Sequence, residues 1–224
     1  MILFNARSGS TLFLDLLSQL GKLGNVQGLW FGDPSHSAYT TIDGIKRGYV
    51  GYVDHNQGVN GIAYRVSWAW LDQIYDYSGF AAQQWLLDQP THIVYLDRYD
   101  KTRQAVSWYL AEHSKKWGSN DRFVHNPPRF NYESIVTLRS TIIGTDLRTK
   151  EWIRWQERPC KVLTYESWTK DFSKTMKSVF EFLGNDLPLG KFKISHDQLQ
   201  DSLKEEFYLK TLKMDKSRFQ LTNE

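Results

Sequence analysis

The sequence predicts an α/β protein whose central, mostly parallel sheet is covered by helices on both faces. Short apolar runs typical of buried strands alternate with segments of helical periodicity along the chain. Alternating strands and helices are typical of parallel sheets with helices packed on each side. No internal repeat or linker-like stretch interrupts the 224 residues, so we expect a single domain over residues 1–224.

The first strand and the first helix lie close to the start of the chain. Met1 to Asn5 is a short apolar run that ends in a turn, which predicts a strand. Residues 25–60 are rich in Gly, Tyr, Asp and His and show little periodicity, so we expect a long irregular segment there. A helix is predicted between this strand and the irregular segment. Its apolar residues recur at helical spacing, at Leu12, Phe13, Leu16, Leu17 and Leu20.

The middle of the chain contains two further strands, each followed by a helix. Gly61 to Val66 predicts a strand, and the helix after it carries apolar residues from Trp68 to Ile74. Phe80 to Asp88 predicts a short helix. The continuous apolar run from His92 to Asp97 is typical of a buried strand, and Lys101 to Ser114 forms the next predicted helix.

A polar loop over residues 115–130 leads into the longest predicted helical segment. This segment runs from about Tyr132 to Glu157, as one helix or as a pair bent near Gly144, and Pro159 ends it.

The last part of the chain is predicted to contain one strand and two helices. Lys161 to Thr164 is a short strand. Lys174 to Leu183 is a helix that Gly184 terminates, and Ser202 to Lys213 is a helix in the tail.

The charge of the chain argues against a nucleic-acid interface. The formal net charge is +3, and no run of Lys or Arg forms the clustered basic stripe that nucleic-acid binders carry. A weakly basic chain is better suited to one small anionic ligand held in a pocket.

Cysteine content and hydropathy predict a cytoplasmic protein. Cys160 is the only cysteine, which excludes disulfides within the chain and zinc sites built on cysteine. The absence of disulfides is compatible with a reducing compartment. We see no signal peptide, and no apolar run reaches the roughly 18 residues of a membrane span.

The segment Arg7-Ser8-Gly9-Ser10-Thr11 predicts an anion site, because it follows a strand and opens a helix. The helix N-terminus contributes about half a positive charge, and Gly9 allows close approach of the backbone. Ser10 is a candidate N-cap, and Arg7 offers a charged fork for phosphate or sulfate oxygens. An ordinary capped helix is the alternative. The segment lacks the Gly-Lys-Ser/Thr ending of a Walker A loop, which weakens a kinase or ATPase interpretation.

A second candidate anion site lies at the end of the strand that runs from His92 to Asp97. Arg98 follows that strand directly, and Ser107 lies nine positions later on the next helix. Ligands of open α/β sheets bind at the carboxyl ends of the strands, so this pair could hold a second phosphate. The alternative is that Arg98 only pairs with Asp97 or Asp100.

Taken together, these segments resemble the sulfotransferases that use 3′-phosphoadenosine 5′-phosphosulfate (PAPS), and more specifically the bacterial trehalose 2-sulfotransferase family. The matching pieces are RSGSTLFLDLL (Arg7 to Leu17), RYDKTRQAVSWYLAEHSKKW (Arg98 to Trp117), KVLTYESW (Lys161 to Trp168) and EFLG (Glu181 to Gly184). They occur in the expected order, and the most specific is the DK-x-x-QAVS run from Asp100 to Ser107.

The resemblance implies a P-loop-like three-layer sandwich, the sulfotransferase fold, with PAPS as co-substrate, PAP as product and no metal. Arg98 and Ser107 would bind the 3′-phosphate, and Tyr165 would lie near the nucleotide. Arg65 aligns with a family lysine near the transferring group and is a candidate catalytic residue, as is Arg7, while Arg218 is a loose match near the 3′-phosphate. The residues implied to bind the 5′-phosphosulfate are Arg7, Ser8, Gly9, Ser10 and Thr11.

The chain departs from the family at the proposed catalytic base. The family carries a glutamate shortly after the first helix, whereas Gly28 occupies the aligned position here. Asp33 follows closely and is our preferred candidate for the base. The other candidates are His36, Asp54, His55, Glu112 and His113.

The acceptor is not identified by the sequence. A carbohydrate or glycolipid hydroxyl is what the family implies, and the 9 Trp, 12 Tyr and 12 Phe residues fill the core or line an acceptor cleft. A homodimer is possible by the same resemblance. Two other functions stay open: a nucleotide-dependent phosphotransferase with a degenerate phosphate loop, and a nucleotide-binding protein without catalysis.

Overall fold

The computed structural model describes residues 1–19, 27–28, 41–55, 63–114, 128–184 and 202–221. The elements within these ranges are β1 (Ile2–Phe4), α1 (Ser10–Gln19), β2 (Gln27–Gly28), α2 (Ile42–His55), β3 (Tyr64–Ser67), α3 (Trp68–Ser78), α4 (Phe80–Asp88), β4 (Ile93–Asp97), α5 (Lys101–Ser114), α6 (Tyr132–Arg154), β5 (Cys160–Thr164), α7 (Tyr165–Trp168), α8 (Phe172–Phe182) and α9 (Ser202–Leu221).

The described strands form one parallel sheet in the order β2-β3-β1-β4-β5. The central strand β1 pairs with β3 on one side and β4 on the other, so Leu3 lies opposite Val66 and Tyr95. Parallel neighbours end at the same edge of the sheet, which brings the segments after β1, β3, β4 and β5 together. The predicted α/β class is confirmed.

Side chains alternate between the two faces of the sheet, and each face is covered by helices. Leu3 and Tyr95 point into a core shared with α2, α3 and α4, which contribute residues such as Leu71. Ile2 and Val94 point to the opposite face, where α1, α7 and α8 pack. Ile2 and Leu3 of β1 and the apolar residues of β4 are almost completely buried, which is why these strands are continuous apolar runs. The sheet and its two helical layers make the predicted three-layer sandwich.

A further apolar cluster lies between α5, α6 and α9. Val106 of α5, Ile135 of α6 and Phe207 of α9 are all buried there. This packing fixes α5 in place, and α5 carries the residues that reach back to the end of β1. In the described ranges, no helix combines the length and apolar character needed to cross a membrane.

One prediction about secondary structure was wrong. The segment expected to be irregular over residues 25–60 contains α2, a helix of 14 residues. Its apolar positions Ile42, Ile45, Tyr49 and Tyr52 pack against the sheet at helical spacing, but the glycines between them obscure that periodicity.

Of the two forms predicted for the long helix, the structure shows the single helix, because α6 continues through Gly144 to Arg154. A single glycine weakens a helix by about 1 kcal/mol without breaking it. The flanking turns are held by buried residues such as Ile142 and Thr149, and this packing outweighs the local cost.

Candidate active site

The candidate site lies where β1, β4 and β5 end. The segment Asn5 to Gly9 leaves β1, Arg98 follows β4, and Tyr165 follows β5. Three distant parts of the sequence therefore meet at one edge of the sheet, the place where ligands bind in open α/β folds.

The loop after β1 has an unusual backbone. Arg7 has a φ of 62°, in the left-handed region that residues with a side chain rarely adopt, and Gly9 has a φ of 88°. The amide of Ser8 donates to the carbonyl of Asn5 at 3.2 Å, which closes a tight turn. The carbonyl of Gly9 accepts from the amide of Phe13 at 3.0 Å, so Gly9 is the N-cap of α1. The prediction that Ser10 caps this helix was wrong, because Ser10 is its first residue.

Gly9 is required by its contact with α7 as well as by its backbone conformation. A Cβ atom at this position would lie 2.6 Å from Cδ2 of Tyr165 and 2.8 Å from Cζ2 of Trp168. Both distances are shorter than any normal carbon contact, so a side chain at position 9 would push the loop away from α7.

The carbonyls of the loop are held by residues that follow β4. Nε2 of Gln104 donates to the carbonyl of Ala6 at 2.7 Å, and Nη1 of Arg98 donates to the carbonyl of Arg7 at 3.1 Å. Gln104 and Arg98 are 1% and 6% exposed, so both bonds are partly shielded from water. This shielding makes them effective in fixing the loop.

The structure brings Ser107 to Arg7. Nε of Arg7 donates to Oγ of Ser107 at 3.1 Å, whereas the sequence led us to pair Ser107 with Arg98. Because Arg98 also contacts the Arg7 carbonyl, the two predicted anion sites form one continuous cluster and not two separate pockets.

Arg98 is held between an aromatic ring and a carboxylate. Its guanidinium lies 4.7 Å from the ring centroid of Tyr165, and its Nε lies 3.9 Å from Oε1 of Glu166. Burial lowers the pKa of Arg98, and the nearby charges of Tyr165, Glu166 and Asp100 oppose that shift. An arginine stays protonated under such conditions, so a positive charge is buried at the end of β4.

Glu166 joins α7 to the start of α5, a role that the sequence analysis missed. Its Oε2 accepts from the amide of Tyr99 at 2.9 Å, and its Oε1 accepts from the amide of Asp100 at 3.2 Å. These amides precede α5, so Glu166 caps that helix from 66 residues away. Sequence rules for helix capping consider only residues near the start of the helix, so they cannot identify Glu166 as a partner.

Arg65 lies next to the start of α1. Its Nη1 donates to Oγ1 of Thr11 at 3.3 Å, and its guanidinium lies 5.6 Å from the ring centroid of Phe4. Burial lowers the pKa of Arg65, and the charge of Asp15 opposes that shift. In the sheet register Gly28 lies opposite Arg65, so the position aligned with the family glutamate is adjacent to this arginine.

The candidates for the base are scattered. Asp33 and His36 lie outside the described residues. Asp54 and His55 are exposed in the last turn of α2.

Two other candidates are engaged in local bonds along α5. Oε1 of Glu112 accepts from the indole nitrogen of Trp108 at 2.7 Å, and Nδ1 of His113 lies 2.8 Å from the carbonyl of Tyr109.

The structure places Arg218 at the first turn of α6. It forms an ion pair with Glu133, and its guanidinium lies 4.6 Å from the ring centroid of Tyr132. Neither contact involves Arg98, and the role of Arg218 at the 3′-phosphate stays a prediction.

The loop has the properties of an anion site. Ser8 is completely buried, and its Oγ has no hydrogen-bond partner among the described residues. Nε of Arg98 also has no hydrogen-bond partner among the described residues, although it lies 3.9 Å from Oε1 of Glu166. An unpaired buried donor costs about 1–3 kcal/mol, and a bound phosphate or sulfate oxygen would remove that cost. These residues therefore fit a phosphate or sulfate group. No group of three or more His, Cys, Asp or Glu side chains within the described ranges could hold a metal ion.

Of the comparisons with known proteins, the match to a family model agrees with the resemblance seen in the sequence. No curated protein matches the chain. The sulfotransferase domain of the Synechococcus PCC 7002 olefin synthase is a solved structure with 17% sequence identity and a TM-score of 0.47, and the match covers 92% of this chain and 85% of that chain. The sequence model of the Stf0 sulphotransferase family matches residues 76–211, which include Arg98, Ser107 and Tyr165. The chain therefore belongs to the Stf0 sulphotransferase family, the trehalose 2-sulfotransferase-like family that the motifs indicate.

Proposed function

We propose that this sulfotransferase moves a sulfuryl group from PAPS to an acceptor hydroxyl on a carbohydrate or glycolipid. The observation that carries the proposal is the loop after β1. There a buried, unpaired Ser8 hydroxyl lies beside two arginines at the N-terminus of a helix. A doubly anionic nucleotide would satisfy these groups better than water.

The proposed donor spans the whole cluster. Its 5′-phosphosulfate would occupy the loop from Arg7 to Thr11, where backbone amides and the helix dipole favour negative charge. Its 3′-phosphate would reach Arg98 and Ser107, and Tyr165 would contact the nucleotide. The hydrogen bond from the Arg98 guanidinium to the backbone carbonyl of Arg7 supports this arrangement, because it brings Arg98 to the loop, where one nucleotide could contact both residues.

The reaction would be an in-line displacement at sulfur. The acceptor oxygen forms a new bond to sulfur, the bond from sulfur to the phosphate oxygen breaks, and its electron pair leaves with the phosphate of PAP. The acceptor proton passes to a base, for which Asp33 is our candidate. Arg7 and the loop amides would stabilise the charge that grows on the departing phosphate.

Arg65 would act next to the loop. It contacts Thr11, the last residue of the segment proposed to hold the 5′-phosphosulfate. We propose that it stabilises the transferring group during the displacement.

The test is transfer from radiolabelled PAPS to a panel of sugars, glycolipids and simple alcohols. We expect labelled product and an equal amount of PAP, without added metal, and loss of transfer in an Asp33→Asn variant that still binds PAP. Tight PAP binding without transfer to any acceptor would favour the non-catalytic alternative. Magnesium-dependent transfer of phosphate from ATP would favour the phosphotransferase.

A further inference from the structure

A network of charged and polar side chains lies beneath the loop, and all of them except Lys150 are largely buried. It joins the ends of β1 and β4 to α5 and α6 through side chains to which the proposed chemistry gives no role. Its members come from β4, α5, α6 and the residue after β1, and they are Asn5, Tyr95, Asp97, Lys101, Asp146 and Lys150.

Asn5 connects this network to the loop. Its side-chain amide donates to Oδ1 of Asp146 and to the hydroxyl of Tyr95, the latter at 3.3 Å. The Tyr95 hydroxyl also donates to Oδ1 of Asp146. The backbone carbonyl of Asn5 accepts from Ser8, so the same residue starts the tight turn of the loop. The side chain of Asn5 thus links Asp146 to the loop.

The charges of the network balance each other. Lys101 forms ion pairs with Asp146 and with Asp97, the latter at 2.5 Å, and Lys150 lies 2.7 Å from the other oxygen of Asp97. Asp97 and Asp146 are only 5% and 4% exposed. Removing such charges from water is costly, and the attraction between them often does no more than offset that cost.

Fold stability alone therefore does not account for a charged cluster at this position. Apolar residues of similar volume at buried ion pairs are often as stable or more stable. The cluster contacts the proposed site at two points instead. Asn5 lies two residues before Arg7, and Oδ1 of Asp97 accepts from the amide of Arg98 at 2.7 Å. Both arginines are thus positioned by backbone that the network holds.

We propose that Asp146 is a positioning residue that fixes the conformation of the donor loop through Asn5. The loop needs such support, because Arg7 is held in a left-handed conformation that costs free energy on its own. Only the expected effect of Asp146 on nucleotide binding rests on the proposed function. The effect of Asp146 on the conformation of the loop does not depend on any ligand.

The first test is calorimetric titration of the full chain with PAP. Asn5→Ala removes the link and leaves Asp146 paired with Tyr95 and Lys101, so this variant should fold. We expect roughly tenfold weaker PAP binding, the scale set by one lost buried hydrogen bond. Asp146→Leu should give a similar loss, and the double variant should lose no more than either one.

The matched control is Asp72→Asn. Asp72 also binds α6, through two hydrogen bonds from Arg148 at 3.1 Å and 2.8 Å, but both side chains are exposed and lie outside the network. We expect this variant to bind PAP as the wild type does. Unchanged PAP affinity in Asn5→Ala, or additive losses in the double variant, would overturn the positioning role.

A second measurement separates this inference from the proposed function. Hydrogen exchange of the amides at residues 7–10 is read without ligand, and Asn5→Ala should speed it while Asp72→Asn should not. If the wild type fails to bind PAP, the proposed function fails, but the exchange result still decides the role of Asp146. Equal exchange in the loop of wild type and Asn5→Ala would reject it.

Discussion

At the scale of single residues, Arg7 combines a strained backbone with a side chain that forms a hydrogen bond. Its backbone takes a left-handed conformation, and its side chain donates to Ser107. Non-glycine residues in such conformations cost roughly 1–3 kcal/mol and persist only where their surroundings hold them. The bonds from Gln104 and Arg98 to the loop carbonyls supply this constraint. The loop is therefore preorganised before any ligand arrives.

Replacing Arg7 should affect turnover more than donor binding. Arg7→Ala removes the charge proposed to stabilise the departing phosphate, and the loss of one such group lowers kcat by roughly 100- to 1,000-fold. We expect PAP affinity to fall by less than about tenfold, because the loop amides and Arg98 remain. Transfer assays and calorimetry measure the two effects. An Arg7→Ala protein with wild-type turnover would reject the role.

Two glycines provide a matched pair for testing the loop. Gly9→Ala places a Cβ against Tyr165 at a φ of 88°, so we expect a loss of roughly 1–3 kcal/mol in the free energy of unfolding. Gly144→Ala adds a Cβ that meets no atom within 4 Å, inside helix α6, and should stabilise by up to about 1 kcal/mol. Urea unfolding of both variants checks this contrast. Equal stabilities would contradict the described packing of the loop on α7.

At the scale of elements, the short helix α7 connects the two halves of the site. Tyr165 packs on both Gly9 and Arg98, and Glu166 accepts from the two amides that precede α5. We therefore expect Glu166→Gln to lower the free energy of unfolding by about 1 kcal/mol and to weaken PAP binding. Glu181→Gln is the control, because Glu181 lies in an exposed, loose pair with Lys177. Similar behaviour of the two variants would mean that Glu166 does not organise the site.

The pairing of Asp97 makes a prediction about acid stability. Burial opposes its charge, but the hydrogen bonds and charges of Lys101 and Lys150 outweigh burial, so the pKa of Asp97 is lowered when folded. A lowered folded-state pKa adds stability above the unfolded-state pKa, near 4, and this stability is lost as the pH falls through the folded-state value.

Asp97→Asn should therefore lower stability at neutral pH and make stability depend less on pH below about 4. Urea unfolding midpoints across the acid range measure this slope. The same slope in wild type and Asp97→Asn would show that this carboxylate does not contribute.

Local sequence patterns predicted most helices and strands. They missed one helix and the contacts between residues that are far apart in the sequence. The buried strand β4 and the loop from Arg7 to Thr11 are visible as an apolar run and a turn before a helix. The helix α2 was missed because glycines interrupt its apolar spacing. The contact of Asn5 with Asp146 joins residues 141 positions apart, and no local pattern specifies such a partner.

At the scale of the whole molecule, the strand order creates the site. β1 lies in the centre, with β3 and β4 as neighbours, so the loop after β1 is flanked by segments from both. This arrangement places the cation of Arg98, after β4, against the loop that opens α1. One nucleotide could then contact both, which is the central claim of the proposed function.

The most direct measurement is calorimetric titration of wild type and Arg98→Ala with PAP and with AMP, which lacks the 3′-phosphate. We expect the wild type to bind PAP at least roughly tenfold more tightly than AMP, because a charge-assisted hydrogen bond contributes about 1.5–3 kcal/mol. Arg98→Ala should bring PAP affinity down to that of AMP and leave AMP affinity largely unchanged. Equal affinities for PAP and AMP in the wild type, or an equal loss for both in Arg98→Ala, would contradict the assignment.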